Sequence, residues 1–260
     1  MPGAPVITDP ASVTDEEREA FFANGFTTVR RLVPDDAVAE LRAAYDEIIS
    51  GRTRARGDRH LGGIIRQVKD PSLDHEAFAA NPALDAGLRL AASLFRADEA
   101  FGPSSFGKVY EMLIDKPGGT MHETPWHQDV GYTQMPVAPA GSSTAIEDVQ
   151  IWLALDPVDT ENGCMQFIPR AYGAPSLAHR VAAGDPHDEG RLIAVDEPLD
   201  TTGAVACPLD AGGCTVHLMG TPHFTGPNHS SRSRRAYIFN IGPAALAEFA
   251  QQAIRSAFND

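Results

Sequence analysis

The stretch PWHQDVGY, residues 125–132, sets His127 and Asp129 two residues apart. In an extended segment side chains alternate between faces, so both project from one face, where an imidazole and a carboxylate can share a metal ion. Two donors do not complete a site, and a third has to arrive from elsewhere in the chain. The richest source is HLMGTPHFTGPNHSSRSRRAYIFNI, residues 217–241, which carries His217, His223 and His229. There a strand-like run meets Gly226, Pro227 and Asn228, a strong turn signal, and a second apolar run returns from Ala236. A histidine near the end of the first run can face the His-x-Asp pair, with an arginine of the returning run beside it. Next to two histidines and one carboxylate, an arginine has a specific use. Its planar fork holds the distal carboxylate of a dicarboxylic cosubstrate whose other end chelates iron.

These residues need a scaffold. Thr14 followed by Glu17 is the spacing of a capping box ahead of EREAFFANGF, in which Phe21 and Phe22 lie to one side and Gly25 closes the helix. Residues 26–33 are rich in β-branched side chains and read as a strand. After Pro34, DDAVAELRAAYDEIIS opens on acidic residues and spaces Val38, Leu41, Tyr45 and Ile48 as one helical face. A further helix is expected over residues 81–95. From KVYEMLI onward the apolar runs are short, rich in Val, Ile, Phe and Tyr, and cut by Gly, Pro, Asn and Asp clusters. That pattern predicts a β-sandwich or barrel with helices on one side. Two stretches read as long loops, TQMPVAPAGSSTAIED and the run from Tyr172 to Ala206.

Length and charge restrict the function. A chain of 260 residues is ample for one large domain. Lys and Arg total 21 against 35 Asp and Glu, a formal net charge of −14. Nucleic acids and anionic membranes are bound mainly through cationic patches, so neither is the expected partner. The first residues have no basic and apolar leader pattern, and no run reaches a membrane-spanning length, which predicts a soluble, cytoplasmic protein. Cys164, Cys207 and Cys214 are odd in number and form no C-x-x-C pair, so they read as buried free thiols.

The order WHQD, IWLAL, ENGCMQFIPRAYGAPSL and GGCTVHLMGTPHFTGPNHSSRSRRA resembles the phytanoyl-CoA dioxygenase family of non-haem Fe(II), 2-oxoglutarate-dependent oxygenases. The resemblance implies a mainly β fold with flanking α-helices, a double-stranded β-helix or cupin-like jelly roll. One domain would span residues 1–260, with a helical layer at about 14–100 and the jelly-roll core at about 105–242. It places the metal ligands on His127, Asp129 and His223. An arginine eleven residues after the distal histidine is Arg234, assigned to the distal carboxylate of 2-oxoglutarate. Strand parity alone does not separate Arg234 from Arg235; the family spacing does. Thr225 would sit beside that carboxylate, Trp152 would wall the cosubstrate, and Met112 and Gln67 would also contact it. Gln67 stands where some relatives have lysine. Phe224 stands where relatives often have a small residue, and is expected to narrow the pocket there or to shape it for another substrate. The presence of Asp129 argues against a halogenase, in which a small residue replaces the carboxylate.

Other residues have plainer readings. His217 lies six residues before His223, roughly 20 Å along an extended strand, too remote to share the metal. His229 and His122 read as surface and loop residues, Trp126 and Tyr132 as packing residues, and Asn162 to Cys164 as a turn. The function implied is an Fe(II)-, 2-oxoglutarate- and O₂-dependent dioxygenase. Its expected substrate is a small molecule, a secondary metabolite or a small carboxylic or amino acid rather than an acyl-CoA, since no basic cluster serves the phosphates of coenzyme A. Hydroxylation is the default outcome; desaturation, epimerisation, cyclisation and endoperoxide formation use the same site. Two alternatives keep the jelly roll without the oxygenase: a cupin-like metal-dependent isomerase or lyase, and a non-catalytic small-molecule-binding protein. No feature of the sequence sets an oligomeric state.

Overall fold

The computed structural model of the protein describes residues 3–96, 105–132, 148–188 and 190–259, with residues 255–259 as backbone only. The N-terminal layer starts with β1 (Val6–Ile7), α1 (Asp15–Asn24), β2 (Phe26–Val29) and α2 (Asp35–Ile49). Thr14 caps α1 through the reciprocal bonds expected of it, accepting from the Glu17 N–H while the Glu17 carboxylate accepts from the Thr14 N–H. Gly25 ends the helix at φ +79°, and a Cβ there would collide with the Thr221 hydroxyl. Only glycine satisfies both demands. The strand that follows is shorter than expected, because the Leu32 and Val33 N–H groups turn to the carbonyl of Gly212 instead of continuing a ladder.

A hairpin of β3 (Gly57–Leu61) and β4 (Ile65–Lys69) precedes α3 (Glu76–Ala79) and α4 (Pro82–Leu94), the latter capped by Asn81. The β-rich part contains β5 (Phe106–Lys116), β6 (Thr124–His127), β7 (Val149–Ala154), β8 (Met165–Phe167), β9 (His179–Ala183), β10 (Leu192–Val195), β11 (Val205–Cys207), β12 (Cys214–Leu218), β13 (His223–Thr225) and β14 (Arg234–Pro243). Helix α5 (Ala244–Asn259) follows. The large sheet runs β1-β2-β12-β7-β14-β5-β4-β3, and a four-stranded sheet runs β11-β8-β13-β6. Apart from the parallel β1–β2 pair, every ladder in the two sheets is antiparallel. This is the jelly roll. Of the two expected long loops, residues 133–147 lie outside the described residues. The second is not structureless: β9 and β10 pair across it, an ordering that its half-exposed, Gly- and Asp-rich sequence conceals.

The two faces of the large sheet differ. Leu113, Ile151, Leu153, Val216, Tyr237, Phe239 and Ile241 pack on one face against Val38, Leu41, Tyr45, Ile48, Phe78 and Leu90 of the helical layer. Truncating one of these large side chains costs about 2–5 kcal/mol. The alternate residues of the same strands face the small sheet, where Trp152, Ala154, Ala236, Ile238 and Ile114 meet Met165, Phe167 and Cys207. This inner face also carries the buried polar residues Gln67, Lys116, Gln150, Thr215, His217, Arg234 and Asn240. Among the described residues, no helix is long and apolar enough to cross a membrane.

Candidate metal centre and anion pocket

His127 and His223 are register partners on β6 and β13, with ring centroids 4.1 Å apart. Each donates Nδ1–H to a backbone carbonyl, His127 to Pro125 at 2.7 Å and His223 to Thr221 at 2.9 Å. That fixes the tautomer and leaves both Nε2 lone pairs free. They face Asp129 Oδ1 from 3.7 Å and 3.6 Å. All three ligand atoms lie within 4.8 Å of one another, and all three residues are buried. Burial holds both imidazoles below their usual pKa, His223 more strongly because His127 adds to the effect. For Asp129, burial alone would raise the carboxyl; His223, His217 and His127 reverse this and hold it well below the usual range. One negative charge among neutral imidazoles, with three donor atoms converging, fits a divalent cation and matches the facial triad of Fe(II).

Two expectations about this cluster are corrected. His127 and Asp129 do not share a pleated strand: His127 ends β6, and Asp129 opens a 3-10 turn, Asp129–Tyr132. The turn is anchored by Val130 N–H to Met219 O and by Gln128, whose side chain bonds Gly220 and Leu177. The pair converges through the turn. His217, expected to be remote, is adjacent: its Nε2 lies 3.1 Å from Asp129 Oδ2, and its ring centroid 4.5 Å from that of His223. The extended-strand distance does not apply, because the chain leaves β12 in the large sheet and turns back through Gly220 into β13 of the small one. Gln150 Nε2 donates to the same oxygen at 2.8 Å. Oδ2 is thus occupied by two donors, and Oδ1 is left for the metal.

The inner face of the large sheet is laid out in cross-strand rows. Tyr110, Asn240, Gln150 and His217 form the row nearest the triad; Met112, Ile238, Trp152 and Thr215 come next, then Ile114, Ala236 and Ala154, and finally Lys116 with Arg234. Arg234 is 1% exposed. Its Cζ lies 5.1 Å from the centre of the Trp152 ring, Nη1 donates to the Gly163 carbonyl at 3.0 Å, and Nε has no partner. Gly163 has φ +84°, and a Cβ on it would strike the Gly226 carbonyl, so the turn over Arg234 requires glycine. Burial lowers the Arg234 pKa to about 10, so it stays cationic at neutral pH. Arg235 points the other way, to Asp156 at 2.7 Å and Asp46 at 2.9 Å. Lys116, which sequence reasoning missed, is fully buried beside Arg234 and donates to Gly226 O at 2.6 Å and Thr225 Oγ1 at 3.1 Å. Among the described residues, no carboxylate pairs with Arg234 or Lys116. Arg234 is thus a buried cation with no counter-charge among the described residues, a costly arrangement that an anion would relieve.

Gln67 and Met112 are brought together: Gln67 Nε2 donates to the Tyr110 hydroxyl at 2.9 Å and touches Met112 Sδ, while Arg59 donates to its Oε1 at 3.1 Å. Phe224 does not narrow the interior as expected. Alternation on β13 turns it away from the face of His223 and Thr225, and its ring stacks on Trp126 at 5.3 Å. His122 and His229 are exposed. His179 Nε2 accepts from the Gln128 N–H at 3.0 Å and so steadies the His-x-Asp turn, a role no sequence spacing signals.

Two histidines and one carboxylate at the inner wall of a jelly roll, with a buried arginine on the facing sheet, match the architecture of the non-haem iron oxygenases. The chain belongs to the phytanoyl-CoA dioxygenase (PhyH) family, whose sequence model matches residues 21–236. It is 26% identical over 173 residues to the peroxisomal phytanoyl-CoA dioxygenase of Rattus norvegicus, a match covering 63% of this chain and 49% of that one. The chain thus spans about half the length of the mammalian relatives it matches. The crystal structure of EvdO2 from Micromonospora carbonacea var. aurantiaca with 2-oxoglutarate is similar at TM-score 0.72 and 28% identity, over 90% of this chain and 92% of that one. SnoK, a non-haem α-ketoglutarate-dependent carbocyclase from nogalamycin biosynthesis, shares the fold at TM-score 0.63 and 18% identity, over 90% and 86% of the two chains.

Proposed function

We propose that the protein is an Fe(II)- and 2-oxoglutarate-dependent dioxygenase that oxidises a C–H bond of a small molecule of secondary metabolism. The observation that carries this reading is the pairing of a three-donor cluster at the small sheet with a buried arginine of the facing large sheet that meets no carboxylate among the described residues. His127 Nε2, Asp129 Oδ1 and His223 Nε2 hold the iron. Arg234 and Thr225 take the distal carboxylate of 2-oxoglutarate, Trp152 walls its carbon chain, and Met112 and Gln67 line the neighbouring face. Bound iron, with 2-oxoglutarate and O₂, supplies the oxidation: one oxygen atom enters succinate as CO₂ leaves, and the other is available to the substrate. The chain's own groups position and protect. Gln150 and His217 restrain Asp129 as a single-oxygen ligand, and the backbone carbonyls of Pro125 and Thr221 keep both imidazoles facing the metal.

Hydroxylation is the default outcome. Ring closure stays among the alternatives because SnoK, on the same fold, is a carbocyclase. The complex of EvdO2 with 2-oxoglutarate supports the choice of cosubstrate. Adding 2-oxoglutarate to the anaerobic Fe(II) protein should produce a weak visible charge-transfer band, and candidate substrates should raise succinate release in air. Iron bound at one equivalent without that band would favour a metal-dependent isomerase or lyase, or a binding protein.

A further inference from the structure

Lys116 has no part in the roles above, yet it is a fully buried amine placed beside the arginine that they depend on. Its Nζ lies 2.6 Å from Gly226 O, 3.1 Å from Thr225 Oγ1 and 3.5 Å from Thr225 O. All three are acceptors. A hydroxyl that accepts from an amine has its own hydrogen left to give elsewhere. Thr225 shares the inward face of β13 with His223, and Lys116 is the register partner of Arg234 on the facing sheet. The Thr225 hydroxyl and the Arg234 guanidinium therefore border the same space.

We propose that Lys116 is a positioning residue of the cosubstrate site: by donating to Thr225 Oγ1 it commits the Thr225 hydroxyl hydrogen to the distal carboxylate held by Arg234. The inference rests on the assignment of Arg234 to that carboxylate. The charges facing Lys116 agree with it. Burial foremost, and Arg234 on β14 next, push its pKa down to about 6, opposed only by the exposed Glu123 ahead of β6. An arriving carboxylate supplies a missing counter-charge and favours the ammonium form, so binding takes up a proton. Below about pH 6 Lys116 is already charged. Above it, affinity falls by up to about tenfold per pH unit until the pKa of the complex is reached.

The test is titration of the anaerobic Fe(II) protein with 2-oxoglutarate and with 2-oxopentanoate, which chelates in the same way but lacks the distal carboxylate. Lys116→Met should weaken 2-oxoglutarate by about tenfold, leave 2-oxopentanoate unchanged and flatten the pH profile; Lys116→Arg should restore part of the affinity. A folded Lys116→Met protein with the wild-type preference between the two acids overturns the proposal. Should that variant fail to fold, the wild type decides. Its preference for 2-oxoglutarate is expected to decline from pH 6 to 9, and a constant preference overturns the proposal. A wild type with no such preference refutes the assignment of Arg234 itself, and the proposal with it.

Discussion

The two ends of the jelly-roll interior are unbalanced in opposite senses. At one end a single carboxylate, Asp129, lies among imidazoles, those of His127 and His223 held by burial below their usual pKa, and three donor atoms converge. At the other, the Arg234 cation lies buried beside the Lys116 amine, with no carboxylate against either among the described residues. Neither imbalance is a packing accident, because a short step away Arg235, on the outer face, is ion-paired twice. On the proposed reading one end takes the cation and the other the anion, and a dicarboxylate chelating the metal joins them.

The contrast can be broken from either side. The largest effect is expected at the metal end: His127→Ala, Asp129→Ala or His223→Ala should reduce succinate release to background and lower iron stoichiometry, since each removes one of three ligands. Full iron loading in any of them would remove that residue from the set. Next come the residues behind Asp129. His217→Leu or Gln150→Leu should weaken iron roughly 10–100-fold, the usual cost of removing a partner of a ligand, while the preference for 2-oxoglutarate over 2-oxopentanoate persists. Arg234→Ala should act in the converse way, weakening 2-oxoglutarate at least about tenfold with iron affinity intact, and Arg234→Lys should fall between. Loss of iron in that variant would mean the two ends are not separable. The smallest effect belongs to Arg235→Ala, which should leave cosubstrate binding alone and lower thermal stability by roughly 1 kcal/mol through its half-buried ion pairs.

How much of this the sequence disclosed follows from which rules are local. The capping box at Thr14, the apolar face of α2 and the opposite parity of Arg234 and Arg235 depend on neighbours in sequence, and they are legible there. The separation of Arg234 from Arg235 needed the family spacing, since alternation says only that they differ. His217 was misjudged because a distance counted along one strand fails once the chain changes sheets. Lys116 was invisible for another reason. A lysine in an alternating strand reads as a solvated side chain, and only the pairing of β5 with β14 shows that its face is the interior. The β9–β10 hairpin lacks the apolar alternation by which strands are recognised.

One feature of the sheet bears on how the molecule comes into being. β14 lies between β7 and β5, with Tyr237 opposite Leu153 and Ile238 opposite Met112. During synthesis β5 and β7 leave the ribosome long before the strand that belongs between them, and each must wait with an apolar edge uncovered. Pairings so distant in sequence form slowly, and waiting strands of this kind are where aggregation begins and where chaperones bind. Arg234 takes its place in the interior only when β14 is inserted, so the proposed cosubstrate site is completed only after that strand has been made.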